Sequence, residues 1–270
     1  MALLPLALLA GCGTSPAPTA PVVYPNLTGN WQIQTSSTSP TNPSTQVLLT
    51  GALQNSGASV SGTLRFANLA NPANCTLNQV VTLSGTTDVN RNLNLTSPML
   101  SSGSTIKTQL TPSATVPGFY GGTIEVDGGS CAAASAAALG VEIEPVTGTF
   151  NGPLVTGPLG GPITTAGSAS LVLSQSSTPS TDGQFAVTGM LSYTLGDCVG
   201  SAALSGGASG VGITMSEAAV APLSEPAVAF LGLTDPAADK IQVESLDFAS
   251  FSCTGSQPST HVYGGTLTRQ

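Results

Sequence analysis

The chain reads as an all-β protein built from two tandem antiparallel β-barrel or β-sandwich units of about eight strands each, and three observations predict this. First, the composition favours strands and tight turns over helices: 32 Gly, 20 Pro and many Ser and Thr, with only 7% charged residues. Second, apolar residues recur every second position. Val60, Leu64 and Phe66 share one face around Gly62, while Ser59, Ser61, Thr63 and Arg65 share the other. Third, the chain repeats itself. Leu27-Thr-Gly-Asn-Trp31 is echoed by Val146-Thr-Gly-Thr-Phe150, and Val60-Ser-Gly-Thr-Leu-Arg-Phe66 by Val187-Thr-Gly-Met-Leu-Ser-Tyr193.

The elements follow from these signals in chain order. Residues 1–11 form an uncharged apolar leader, too short for a membrane-spanning helix. Residues 12–25, with their prolines, small side chains and lack of charge, read as a flexible tether. Residues 26–145 form the first β unit and residues 146–270 the second, with the boundary near Pro145. In the first unit, Thr35 to Thr45 is a polar loop; Asn92-Leu-Asn-Leu-Thr96 and Val141-Glu-Ile-Glu144 are further alternating stretches. In the second unit, Gly157 to Ser168 reads as the corresponding loop. Phe185, Val187, Leu191 and Tyr193 line one face of a strand around Gly189. The central glycines let a strand bend at a barrel corner. One-sided strands of this kind belong in antiparallel sheets with one wet face.

The cysteines keep the same register. Cys75 to Cys131 is 56 positions and Cys198 to Cys253 is 55. Disulfides within each unit, Cys75–Cys131 and Cys198–Cys253, are the expected pairing, with cross-unit pairs and free or metal-bound thiols as the alternatives. Each bridge would contribute roughly 4 kcal/mol by restricting the unfolded chain. Metal binding has little to work with, because no two cysteines have ligand spacing and His261 is the only histidine.

Leu9-Ala10-Gly11-Cys12, at the end of the leader, resembles the lipobox of bacterial lipoproteins. The resemblance implies a signal peptide cleaved before Cys12, whose thiol then carries acyl chains such as palmitate. Two or three chains anchor a protein stably, where one is marginal. The leader departs from the pattern in having no Lys or Arg. Gly13 replaces the Asp that retains some lipoproteins at the inner membrane, so the outer membrane or cell surface of the envelope is the expected location.

Gly29-Asn30-Trp31 resembles the Gly-X-Trp that opens lipocalin and avidin-like barrels. The resemblance implies a basic residue packed over Trp31, and Arg269 is the candidate if the first and last strands of the chain meet. Trp31 is then the plug at a barrel base, with ligand stacking as its other reading. A ligand inside a barrel would touch Trp31, Leu64, Phe66, Leu191 and Tyr193.

Catalytic signals are sparse. There is no Gly-X-Ser-X-Gly elbow, and His261 lacks a partnered nucleophile. Ser104-Thr-Ile-Lys107 resembles the Ser-X-X-Lys of penicillin-binding enzymes, but alternation puts residues three apart on opposite strand faces. Glu142 and Glu144 share a strand face about 7 Å apart, a spacing glycosidases use, yet they read as its wet side. Asp235 and Asp239 flank a turn without a calcium-loop pattern. Five basic residues against thirteen acidic ones leave no stripe for nucleic acid.

The sequence therefore reads as a non-enzymatic, cofactor-free lipoprotein. Its expected partners are a membrane through Cys12 and a small apolar molecule or glycan. The alternative is a structural or adhesive scaffold that contacts other envelope proteins. A hydrolase would need a polar cleft containing Glu142, Glu144 or His261.

Overall fold

The computed structural model describes residues 22–35, 47–68, 75, 79–156, 164–218, 228–248 and 262–270. The leader, Cys12, Cys253 and His261 lie outside the described residues. The first eight strands are β1 (Gly29–Thr35), β2 (Val47–Ser56), β3 (Ser59–Asn68), β4 (Gln79–Thr87), β5 (Leu93–Thr96), β6 (Thr105–Pro112), β7 (Phe119–Asp127) and β8 (Ala133–Ile143). The second eight are β9 (Gly148–Thr156), β10 (Thr164–Pro179), β11 (Phe185–Leu195), β12 (Cys198–Ser209), β13 (Gly212–Glu217), β14 (Val228–Thr234), β15 (Lys240–Phe248) and β16 (Val262–Arg269).

Each set closes into an antiparallel eight-stranded barrel in simple up-and-down order, with β1 pairing β8 and β9 pairing β16. Barrel, not sandwich, is the architecture. Closure leaves no free sheet edge in either unit. The two sequence echoes fall on one structural row. Trp31 opposes Gly51, which opposes Leu64; Phe150 opposes Leu171, which opposes Leu191. The duplication is thus a duplication of three-dimensional register.

Inward positions fill each barrel with its own apolar cluster. Trp31, Leu64, Phe66 and Tyr120 sit in the first; Phe150, Leu191, Tyr193 and Phe248 sit in the second. A side chain of this size contributes about 1.5–3 kcal/mol when fully withdrawn from water. Gly62 and Gly189 serve space more than bending. A Cβ at 62 would lie 2.4 Å from Leu53, and one at 189 would lie 2.5 Å from the Val172 carbonyl.

Cys75 and Cys131 are bridged. The bridge ties the β3–β4 connection to the β7–β8 connection at one end of the first barrel. Cys198, which opens β12 at the equivalent place in the second barrel, is also disulfide-bonded. One segment differs from its reading as a loop. β10 begins at Thr164 and runs to Pro179, because residues 164–168 pair with β9 and, from Gly167 on, with β11.

The opposite end of each barrel carries short turns. In the second barrel these are residues 180–184, 210–211 and 235–239, next to the linker 144–147 from β8. This turn end abuts the outer wall of β1, β2 and β3.

Candidate functional site between the barrels

On β1, Trp31 and Ile33 point inward, so Asn30 and Gln32 point out of the barrel, where water would ordinarily solvate them. Here the second barrel covers them, and Asn30 is 2% exposed. Its amide donates to the Gly210 carbonyl at 2.8 Å and its Oδ1 accepts the Gly210 N–H at 2.7 Å. One side chain thereby supplies both halves of a backbone pairing. Gln32 Oε1 accepts the Val211 N–H at 3.2 Å, and Ser209 Oγ donates to Thr50 Oγ1 at 2.9 Å. The Arg65 guanidinium pairs with Asp182, whose carboxylate also accepts from Ser180. Those bonds, from Ser180 first and Arg65 next, hold the Asp182 carboxyl below the usual range.

Gly210 is required at this joint on two counts. Its φ of +57° is a conformation that L side chains rarely adopt, and a Cβ would lie 2.6 Å from Gln32 Oε1. At Gly183 a Cβ would lie 2.0 Å from the Thr63 carbonyl oxygen. The joint is therefore polar and closely fitted.

Beside it a cleft of about 640 Å³ opens between the β1–β2 wall, the linker and the β10–β11 hairpin. Its walls carry Gln54, Thr63, Gln175, Ser177 and Thr181, and its floor Ala52, Leu53, Ile143, Pro179 and Phe185. Gln175 is fixed by accepting the Val146 N–H at 3.0 Å. Glu142 and Glu144 form a negative edge, and no basic side chain lines the cleft among the described residues.

Glu142 is not a free acid. Arg91 bonds it at 3.0 Å and donates to the Tyr120 hydroxyl at 2.9 Å. Burial raises the Glu142 carboxyl above its ordinary value, Arg91 opposes that, and Glu144 adds to it. Behind this group, Tyr120 lies 5.0 Å from Trp31, and Trp31 Nε1 donates to the Leu27 carbonyl at 2.9 Å. Arg91 sits 5.9 Å from the Tyr120 ring, so the first barrel has a basic residue over its aromatic base. Sequence reading missed it, because Arg91 lies in the β4–β5 turn and not on a closing strand. The expected contact of Arg269 with Trp31 does not form. β16 closes on β9, and Arg269 lies 5.4 Å over Phe150.

The other sequence candidates separate clearly. Trp31, Leu64, Phe66, Leu191 and Tyr193 are all buried in the core clusters, away from the cleft. Ser104 is buried while Lys107 points outward and pairs with Asp127, so the two do not meet. Asp235 caps its own turn by accepting the Asp239 and Lys240 N–H groups. Among the described residues no group of His, Cys, Asp and Glu could hold a metal ion.

Fold and site together define a class: tandem up-and-down β-barrels, each closed on itself, joined through a fitted polar face with a cleft beside the linker. No family model matches the chain, and no curated protein does.

Proposed function

We propose that this protein is a non-enzymatic binding module, anchored in the cell envelope through acylated Cys12, that takes a neutral glycan in the cleft between its barrels. The observation that carries the reading is the cleft's lining. Amides and hydroxyls are set in a mainly apolar lining, with a carboxylate edge and no basic side chain among the described lining residues. Its size falls within the range of ligand sites, and junctions between folded units are where such sites concentrate. The apolar clusters inside the barrels favour a site outside them, and amides and hydroxyls set in a mainly apolar lining suit a sugar, which has apolar ring faces and hydroxyl edges.

The test is calorimetric titration of the full-length protein in detergent with a panel of neutral oligosaccharides, alongside the uncharged apolar dye N-phenyl-1-naphthylamine. At least one oligosaccharide is expected to bind, and Gln54→Trp, which fills the cleft, to weaken it at least about tenfold. Binding of the dye alone, or sugar binding indifferent to Gln54→Trp, would overturn the reading. Release of new reducing ends, lost in Glu142→Gln or Glu144→Gln, would replace it with a hydrolase. Incorporation of labelled palmitate, abolished by Cys12→Ser, tests the anchor.

A second reading, a scaffold that makes protein–protein contacts, has its own support. Val172 and Met190 stand exposed, side by side, on the outer wall of the second barrel.

A further inference from the structure

The wall on which the first barrel receives its neighbour has a counterpart in the second barrel, and that counterpart is bare. Because Trp31 corresponds to Phe150 and Leu64 to Leu191, the rows on either side correspond too. In the first barrel they are Asn30–Ala52–Thr63–Thr82 and Gln32–Thr50–Arg65–Val80. In the second they are Thr149–Val172–Met190–Ala203 and Asn151–Ser170–Ser192–Ser201.

The first pair of rows is covered along β1–β3, where the outward Ala52 is 2% exposed, and opens at Thr82 and Val80 on β4. The second pair is not: Val172 is 48% exposed and Met190 46%.

We infer that the β9–β12 wall of the second barrel is a docking surface for a second copy of this chain, which presents the turn end of its first barrel. The intramolecular joint supplies the template. The docked element there is the β12–β13 turn, and its counterpart on the first barrel is the β4–β5 turn, residues 88–92. That turn is exposed at Val89, and the neighbouring β6–β7 turn at Val116, which gives the second copy apolar tips for the Val172–Met190 row. The contact joins two different surfaces, so each copy keeps one of each free and the assembly grows head to tail instead of closing as a dimer. No residue of the Thr149–Ala203 and Asn151–Ser201 rows lines the cleft, and failure of this proposal would leave the glycan reading standing.

Sedimentation of full-length protein in detergent across a concentration series, with benzoylphenylalanine at position 172 for photo-crosslinking, tests the proposal. The expected result is a ladder of dimers, trimers and longer species, with crosslinks on residues 88–92 or 113–118 of another copy. Met190→Asp should weaken association at least about tenfold while leaving the thermal melt unchanged. A monomer at every concentration, crosslinks elsewhere on the chain or on another protein, or association indifferent to Met190→Asp would overturn it.

Discussion

The two barrels share strand number, closure and register, yet the same wall is sealed in one and open in the other. The difference lies in side chains that point away from both cores. Thr63 and Arg65 on the first wall stand where Met190 and Ser192 stand on the second. Arg65 bonds Asp182 in the turn end that follows it in the chain and the Thr63 carbonyl lies against Gly183, whereas Met190 and Ser192 stand exposed. A duplicated fold thus conserves what fills the barrel and lets what covers it diverge.

Removing the Cys75–Cys131 bridge should separate the barrels most strongly. The double variant Cys75→Ser/Cys131→Ser is expected to destabilise the first barrel by about 4 kcal/mol and leave the second nearly untouched. Calorimetry would then resolve two transitions where the barrels differ. A single transition shifted as a whole would mean that the joint couples them into one unit.

Gly210→Ala attacks the joint itself. Positive φ and the clash with Gln32 together should cost about 2–3 kcal/mol. Small-angle scattering should show the molecule lengthening, and proteolysis should find the linker at residues 144–147. An unchanged radius of gyration would show that the joint tolerates a side chain there.

Trp31→Phe makes the base of the first barrel resemble that of the second. It removes the bond to the Leu27 carbonyl and leaves a small cavity, for an expected loss of about 1–2 kcal/mol measured by urea unfolding.

The smallest effect belongs to Arg65→Ser, which copies the second wall onto the first. The partly exposed pair with Asp182 is worth no more than about 1 kcal/mol. Its pH dependence is the sharper readout. Because the folded Asp182 carboxyl lies below its ordinary value, its contribution is present above about pH 4 and is lost as pH falls through the folded value. Glu142 has the opposite sign. Its folded value is raised, so stability declines as pH rises from the ordinary carboxylate value through the folded one. In acid, scattering should therefore report a looser joint in the wild type and a smaller acid step in Arg65→Ser, where the Ser180 bond still lowers the Asp182 carboxyl.

Much of the fold was legible in the chain because its signals are local. Alternation at Val60–Phe66 and Phe185–Tyr193 needs only neighbouring residues, and the echoes around Trp31 and Phe150 need only comparison of two short strings. The cysteine spacing agreed with both, and the Cys75–Cys131 bridge is formed. Other elements depended on context. Ala133–Leu139 is rich in a strong helix former, yet it lies in β8 because β7 offers a ladder along it and β1 a second one from Ala138 on. Arg91 reaches Tyr120 from a turn, through a positive φ of 67° that no periodicity announces.

The candidate cleft was hidden more deeply. Asn30 and Gln32 alternate with buried residues just as solvent-facing side chains do, and their partners lie about 180 positions away. A polar residue on a strand's outer face reads the same whether water or another barrel satisfies it, since hydrogen-bonding capacity does not encode the partner. The sequence by itself determined two β units and the core faces of strands such as β3 and β11, because burial repeats with the backbone's own period. Only the tertiary structure decided that they are barrels, which outer wall is covered and where the cleft opens, because those depend on surfaces meeting across the whole length of the chain.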